Sequence, residues 1–183
     1  MSALCDHLRR LGCSSTQLDC TQDKITGPMW EVKGNFGSVR DKGWNYSWYN
    51  SDGNTNGGDA GVVNGGTCFY KYDATTNPAG NYCSTAGYVA AVNTAALCGY
   101  SDWRLPSKRE LQTITNLGAF IPAIDTTYFI NTDGGIGQPR FWTDSTYVPN
   151  STKAWSFDYQ FGNASAIGKA ANGYVRLVRG GQI

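Results

Sequence analysis

The sequence predicts an α+β protein with two short helices, several short strands and long loops, cross-linked by disulfide bonds. Three observations lead to this prediction. The strand and helix patterns follow one another in the order strand, helix, helix and then several strands, which is typical of α+β folds. The chain has six cysteines, none of them in a CxxC pair. It also has 23 glycines and a low fraction of charged residues, 16%. That composition is typical of secreted, loop-rich proteins.

The chain of 183 residues fits one domain. We expect residues 21–183 to form this domain. Residues 1–20 carry three of the cysteines and no clear hydrophobic period, so we expect them to be an N-terminal lead-in.

The first strand and the first helix are predicted from local signals. Gly27-Pro28 marks a turn, and the apolar residues after it alternate as in a strand. Ser84 or Thr85 can cap a helix that continues to Leu97, because apolar residues recur there at helical spacing. Gly99 then acts as the stop.

The second helix is predicted to begin at a capping box. Ser107 is the N-cap, and Glu110 follows three residues later. Gly118 is expected to end this helix. Three apolar residues supply its buried face: Leu111, Ile114 and Leu117. The chain is then irregular until the last strand patterns, which lie around 141–144, 153–159, 164–170 and 174–179.

The six cysteines predict a disulfide framework and an oxidising compartment, hence an extracellular or cell-surface location. They are Cys5, Cys13, Cys20, Cys68, Cys83 and Cys98. None lies in a CxxC pair, which argues against zinc. We expect Cys83 to pair with Cys98 across a helix, Cys68 to pair with an N-terminal cysteine, and the remaining two to pair together.

The charge and hydropathy patterns exclude two classes of partner. The net charge is +1, which argues against bulk attraction to nucleic acid. No stretch is long and apolar enough to span a membrane. We therefore expect neither nucleic-acid binding nor membrane insertion.

Several sequence blocks together resemble one known family. They are Thr26–Trp30, Ala90–Asn93, Cys98–Pro106, Arg109–Leu111, Phe141–Ser145 and Val175–Gly180. As a set, over roughly residues 21–181, they resemble the DUF1566 family, also called the C-terminal domain of the Legionella collagen-like adhesin. The resemblance implies a C-type-lectin-like fold, with two helices packed on a small, twisted antiparallel sheet and long loops on one side. It also implies an adhesin that binds sulfated polysaccharides and works as a trimer.

Most of these blocks are interpreted as framework. Four apolar side chains are expected in the core: Trp103, Leu105, Trp142 and Trp155. Arg104 is expected to form an ion pair with Glu110 or Asp102. Lys108 and Arg109 are expected on the solvated side of the second helix.

The only cofactor that the sequence suggests is a calcium ion. The spacing in Asp52–Gly57 places oxygen ligands at alternate positions and a glycine at the turn, as in the first half of a calcium loop. Val63 stands where a closing Glu is expected, so another residue would have to substitute. The predicted ligands are Asp52, Asn54, Asn56 and Asp59. A plain Asn/Gly turn is the alternative.

We expect the ligand site in the loops between residues 119 and 165. Aromatic faces there can stack on sugar rings, and Arg or Lys can bind sulfate groups. The candidate ligand-binding residues are Tyr128, Arg140, Tyr147, Asn150, Lys153 and Tyr159.

The predicted function is a non-catalytic, adhesin-like extracellular module that recognises an anionic or sulfated polysaccharide or surface glycan, with homo-oligomers adding avidity. An enzyme is disfavoured because the only histidine, His7, lies in the lead-in and all six cysteines can be paired. The alternative is a structural subunit or protein-receptor-binding module of an extracellular appendage or phage particle. A surface rich in Tyr, Trp, Asn and Ser suits such protein interfaces as well.

Overall fold

The computed structural model describes residues 19–35, 37–68, 83–132 and 139–181. Six strands and two α-helices lie in these ranges. In chain order they are β1 (Cys20–Gln22), β2 (Met29–Glu31), α1 (Thr85–Thr94), α2 (Lys108–Thr113), β3 (Arg140–Thr146), β4 (Lys153–Asp158), β5 (Asn163–Gly168) and β6 (Val178–Arg179). A short 3-10 turn, Leu97–Gly99, lies between the two helices.

The strands form two small antiparallel sheets. The first has the order β1-β2-β6 and so joins the two ends of the described chain. The second has the order β3-β4-β5 and consists of consecutive hairpins. The mixed α and β content that the sequence predicts is confirmed.

The second sheet lies between two apolar clusters. One cluster includes Tyr46, Trp48, Trp142 and Ala154, and the other includes Leu111 and aromatic residues such as Phe157. Successive strand residues point to opposite faces. Strand β4 therefore contributes Ala154 to one cluster and Phe157 to the other.

Helix α1 begins as predicted but ends early. The Ser84 side chain accepts a hydrogen bond from the Gly87 amide and caps the helix. The helix stops at Thr94, because Ala96 takes a left-handed conformation (φ 48°). The predicted end at Leu97, before Gly99, is therefore wrong by about one turn.

The capping box of α2 is confirmed in both directions. The Glu110 amide donates to Ser107 Oγ, and the Ser107 amide donates to Glu110 Oε2. The predicted continuation to Leu117 is wrong, since the helix ends at Thr113 and Leu117 is 86% exposed. Ile124 is buried nearby, and its neighbour Ala123 accepts a hydrogen bond from the Asn116 amide.

Of the strand predicted over 174–179, only the two residues of β6, Val178–Arg179, form a strand. The Leu177 amide donates to the buried side-chain oxygen Oε2 of Glu31 rather than to a carbonyl of a neighbouring strand. Strand β2 also differs from the predicted alternation, because all three of its residues are buried.

The predicted disulfide pairing is wrong. Cys20 bonds to Cys98, and Cys68 bonds to Cys83. Helix α1, which is about 15 Å long, lies between Cys83 and Cys98, whereas the Cα atoms of a disulfide lie within about 7 Å. Cys5 and Cys13 lie outside the described residues. Cys20, which the sequence assigned to the lead-in, is part of β1 and so of the folded unit.

The framework residues mostly lie where predicted. Trp103 and Trp142 are buried, whereas Leu105 and Trp155 are only partly buried. Arg104 forms the predicted ion pair with Glu110, at 2.6 Å between Nη2 and Oε1. Asp102 pairs with Arg179 instead.

Candidate functional site

The turn between β3 and β4 brings Tyr147 and Lys153 side by side. The Tyr147 amide donates to the Lys153 carbonyl at 2.9 Å, and the Lys153 amide donates to the Asn150 carbonyl at 3.0 Å. The Asn150 side-chain oxygen accepts from the amide and the hydroxyl of Thr152. This hydrogen bonding holds the exposed tip of the hairpin in a defined turn.

A bulge in β3 connects this hairpin to helix α2. Trp142 pairs with Ser156, and Thr146 pairs with Ala154. The three β3 residues between these two pairs therefore oppose a single β4 residue, Trp155. Bulges of this kind bend a strand and leave its extra residues unpaired. The freed Asp144 amide donates to the Pro106 carbonyl at 2.9 Å, which ties the segment before α2 to the bulge.

The result is a surface group of four side chains, Lys108, Tyr147, Lys153 and Trp155, which we call the Trp155 cluster. Lys108 Nζ lies 4.0 Å above the centre of the Trp155 ring. The Tyr147 ring meets the Trp155 ring edge to face, with 5.2 Å between centroids. Lys153 lies two residues before Trp155 on the same face of β4. All four side chains are partly exposed.

Strand β5 forms a shallow shelf beside the Trp155 cluster. Gly168 pairs with Lys153, Ala166 with Trp155 and Ala164 with Phe157. Directly opposed residues share a face of the sheet, so only small residues line β5 on the Trp155 side. Ala164 and Gly168 are exposed, because β5 is an edge strand.

The charges of the Trp155 cluster are positive. Neither Lys108 nor Lys153 forms an ion pair with any residue that the structure describes. The exposed Asp144 lies on the bulge, where its carboxylate accepts a hydrogen bond from Ser145. An ammonium group offers three rotatable donors to an anion. The site can therefore hold an aromatic-stacking ring and an anionic group next to each other.

Residues 19–179 match the family model described as the Lcl C-terminal domain. The chain belongs to this family. Lcl C-terminal domains are adhesin-type domains. No curated protein and no solved structure matches the chain.

In this Lcl C-terminal domain, three of the six predicted ligand-binding residues come together. Tyr147, Asn150 and Lys153 all lie on the β3–β4 hairpin. Arg140 begins β3 at the opposite end of the strand, about 20 Å from the hairpin turn. Tyr128 is exposed in the turn that follows Asp125, and no contact described in the structure joins it to the cluster.

The expectation that Tyr159 lies in the ligand-binding loops is wrong. Its side chain is fully buried, and its hydroxyl donates to the Leu111 carbonyl at 2.8 Å. Burial raises the pKa of the Tyr159 hydroxyl well above its ordinary value. Tyr159 therefore belongs to the core beneath α2.

Two residues of the cluster were assigned elsewhere from the sequence. Trp155 was expected in the core and Lys108 on a solvated helix face. The spacing Lys153-Ala154-Trp155 did hold a signal, because it places Lys153 and Trp155 on one face of a strand. No signal in the sequence showed that Lys108 would reach this ring, since the contact depends on the bulge in β3.

The predicted calcium ligands already have partners within their own loop. The Asp52 carboxylate accepts hydrogen bonds from the Asn54 amide and the Thr55 hydroxyl, which hold its pKa below the ordinary value. The Asn56 side chain is buried and bonds to Asn50 and Gly58. Among the described residues, no three His, Cys, Asp or Glu side chains are grouped to hold a metal. Calcium binding at this loop stays a prediction.

A small cavity in the structure has a volume of only about 10 Å³, room for about one water molecule. It is lined by Lys33, Lys42, Asn131, Pro139, Phe141 and Tyr174. This cavity is too small for a sugar ring.

Neither of the helices in the described ranges is long and apolar enough to cross a membrane.

Proposed function

We propose that this chain is a non-catalytic, adhesin-like extracellular module that binds an anionic or sulfated polysaccharide at the Trp155 cluster. One observation carries the proposal. The Lys108 ammonium lies over the partly exposed Trp155 ring, which also meets the Tyr147 ring, and Lys153 follows the same face of β4 beside the small residues of β5. Neither lysine has an ion-pair partner among the described residues.

The shape of this surface suits a polymer better than a small molecule. Pockets for small ligands are concave and enclose most of the ligand. The shelf along β5 is open at the sheet edge, so a chain can lie across it with neighbouring sugar units continuing into solvent. Each site would bind weakly, and several copies acting on one polymer would add avidity.

The two disulfide bonds support an extracellular or cell-surface location, because such bonds persist in oxidising compartments. The C-type-lectin-like arrangement is part of the same proposal. Its support is the pair of helices, the small antiparallel sheets, and the pairing of β1 and β6 with β2 that brings the chain ends together.

The proposal is tested by titrating the chain with a sulfated glycosaminoglycan oligosaccharide and with the same oligosaccharide after chemical desulfation. Trp fluorescence and calorimetry report binding. We expect desulfation to weaken binding about tenfold or more, added salt to weaken it further, and a calcium chelator to leave it unchanged. The oligosaccharide should be recovered uncleaved.

Equal affinity for the sulfated and desulfated chains would contradict the assignment of an anionic ligand. Absence of binding to either chain would contradict the polysaccharide site as a whole. Cleavage of the oligosaccharide would contradict the non-catalytic assignment.

A second candidate function, contact between protein subunits, is favoured by an exposed apolar patch. The patch consists of four large side chains that are each at least half exposed: Leu117, Phe120, Ile121 and Phe161. The two segments are adjacent, because the Ile121 amide donates to the Gln160 carbonyl at 3.2 Å. Contiguous exposed apolar surfaces commonly mark interaction sites.

Sedimentation of the wild type and of a Phe120→Ser/Phe161→Ser double variant tests this second candidate with another copy of the chain as the partner. We expect the wild type to associate as its concentration rises and the double variant to stay monomeric. A wild type that is monomeric at every concentration would contradict self-association through this patch.

A further inference from the structure

The loop that carries the predicted calcium ligands, residues 50–61, closes over the side chain of Lys169. This lysine follows β5 and is only 2% exposed. Its ammonium nitrogen Nζ lies 2.9 Å from the Asn56 carbonyl oxygen and 2.5 Å from the Asp59 carbonyl oxygen. It also lies 4.3 Å above the centre of the Trp48 ring.

The two carbonyl oxygens point to the inside of the loop, whereas the carboxylate of Asp52 is on the outside. Asp52 is exposed, and its oxygens are engaged with Asn54 and Thr55. The inner oxygens of Asn56 and Asp59 therefore have a cation in front of them, and this cation belongs to the chain. Carbonyl oxygens that converge on a positive charge are also what a calcium loop provides.

The backbone around Lys169 connects the loop to the candidate site. The Lys169 carbonyl accepts from the Trp48 amide, and the Lys169 amide donates to the Thr152 carbonyl in the β3–β4 turn. Gly57 lies against the Thr146 side chain, so closely that an added Cβ would come within 2.7 Å of the Thr146 methyl carbon. The loop thus packs directly beside the hairpin that carries Tyr147.

We propose that the ammonium of Lys169 is the built-in cation of the loop at residues 50–61 and takes the place of a calcium ion. A tethered cation is present at any calcium concentration. The loop therefore keeps its conformation with or without free calcium. This inference concerns the loop alone and stands whether or not the Trp155 cluster binds a polysaccharide.

The experiment compares the wild type with Lys169→Met, which keeps an unbranched apolar side chain one heavy atom shorter than lysine and removes the charge. Lys24→Met, at an exposed turn, is the matched control. We expect calcium or a chelator to leave the wild-type Tm unchanged. Lys169→Met should lower the Tm by roughly 10 °C, because the carbonyl groups of buried Asn56 and partly buried Asp59 lose their cation. Lys24→Met should not.

Hydrogen exchange supplies the local readout. The amides of Asn50 and Asn56 bond within the loop, to Ala60 and Asp52. In Lys169→Met these amides should exchange faster, while the amides of β4 keep their protection. Unchanged protection of the loop amides in this variant would overturn the proposal, and so would a saturable rise of the wild-type Tm with calcium.

If Lys169→Met does not fold, nitrogen-15 NMR of the wild-type lysine ammonium groups decides. A buried, hydrogen-bonded ammonium exchanges its protons slowly enough to be observed. We expect a resolved signal for Lys169 and none for the exposed Lys24. Proton exchange at Lys169 as fast as at Lys24 would overturn the proposal.

Discussion

Trp155 is partly exposed and has a lysine over its ring. Its neighbours on β4, Ala154 and Ser156, are buried on the other face of the sheet, so strand alternation alone directs Trp155 to the side of α2. The helix begins at Lys108, close enough for a cation–π contact but not close enough to cover the indole. The part of the ring that Lys108 and Tyr147 leave uncovered is accessible to a ligand.

Trp155→Ala is expected to weaken binding of the sulfated oligosaccharide about tenfold or more, because a central aromatic contact is lost. Lys108→Met should weaken it about threefold, as an exposed charge contributes little. Calorimetry measures both affinities. Lys24→Met is the matched control for the lysine variant, and Trp155→Phe should retain most of the affinity.

Unchanged affinity in Trp155→Ala, with a Tm close to that of the wild type, would show that the ligand binds elsewhere. A loss of affinity in Lys24→Met equal to that in Lys108→Met would point to net charge rather than to the cluster.

The buried carboxylate of Glu110 makes stability depend on pH. Burial opposes its ionisation, but hydrogen bonds from Arg104 and Ser107 outweigh burial and hold the pKa of Glu110 below its ordinary value of 4.5. A lowered pKa in the folded state stabilises the fold above the ordinary value, and this contribution is lost as the pH falls through the folded-state pKa.

Glu110→Gln should therefore cost about 2 kcal/mol at neutral pH and progressively less below pH ~4.5. Urea denaturation of both proteins over a series of pH values measures the difference. A difference that stays constant from neutral to strongly acidic pH would contradict this account of the Glu110–Arg104 pair.

At the scale of the elements, helix starts could be predicted from the sequence more accurately than helix ends. Ser84 and Ser107 cap their helices through contacts three residues away, so the signal is local. The ends depend on tertiary packing. Leu117 fits the helical period, yet the chain turns away before it, and Ile124 from the following segment is buried in the core instead.

The end of α1 leads to a prediction that only the structure provides. Ala96 follows the C-cap Ala95 with a φ of 48°, a left-handed conformation in which glycine is usually found. Ala96→Gly should raise the free energy of unfolding by about 0.5–1 kcal/mol, because relief of backbone strain exceeds the entropy lost by glycine. Urea denaturation measures this change. A destabilisation of similar size would contradict the strain argument.

At the scale of the whole molecule, the class of fold and the presence of disulfides could be predicted, but the pairing could not. Cys83 and Cys98 flank one helix, and only the folded chain shows that the helix holds them apart. The candidate site has the same limit. Tyr147 and Lys153 were predicted from residue type, whereas Lys108 reaches Trp155 through a contact between distant segments, Asp144 with Pro106.

The Cys20–Cys98 disulfide ties β1 to the segment after α1 over a sequence separation of 78 residues. Closing so long a loop restricts the unfolded chain, and the expected contribution is about 4 kcal/mol. Cys20→Ser/Cys98→Ser should lower the free energy of unfolding by about that amount, as measured in urea. A loss under about 1 kcal/mol would show that this bond contributes little to stability.

The measurement that tests the central claim most directly is NMR of the wild-type chain during titration with the sulfated oligosaccharide. The account predicts that the largest chemical-shift changes on titration occur at Lys108, Tyr147, Lys153, the Trp155 indole and the adjacent residues of β5. Shift changes centred instead on Arg140 or Tyr128, with the Trp155 indole signal unmoved, would contradict it.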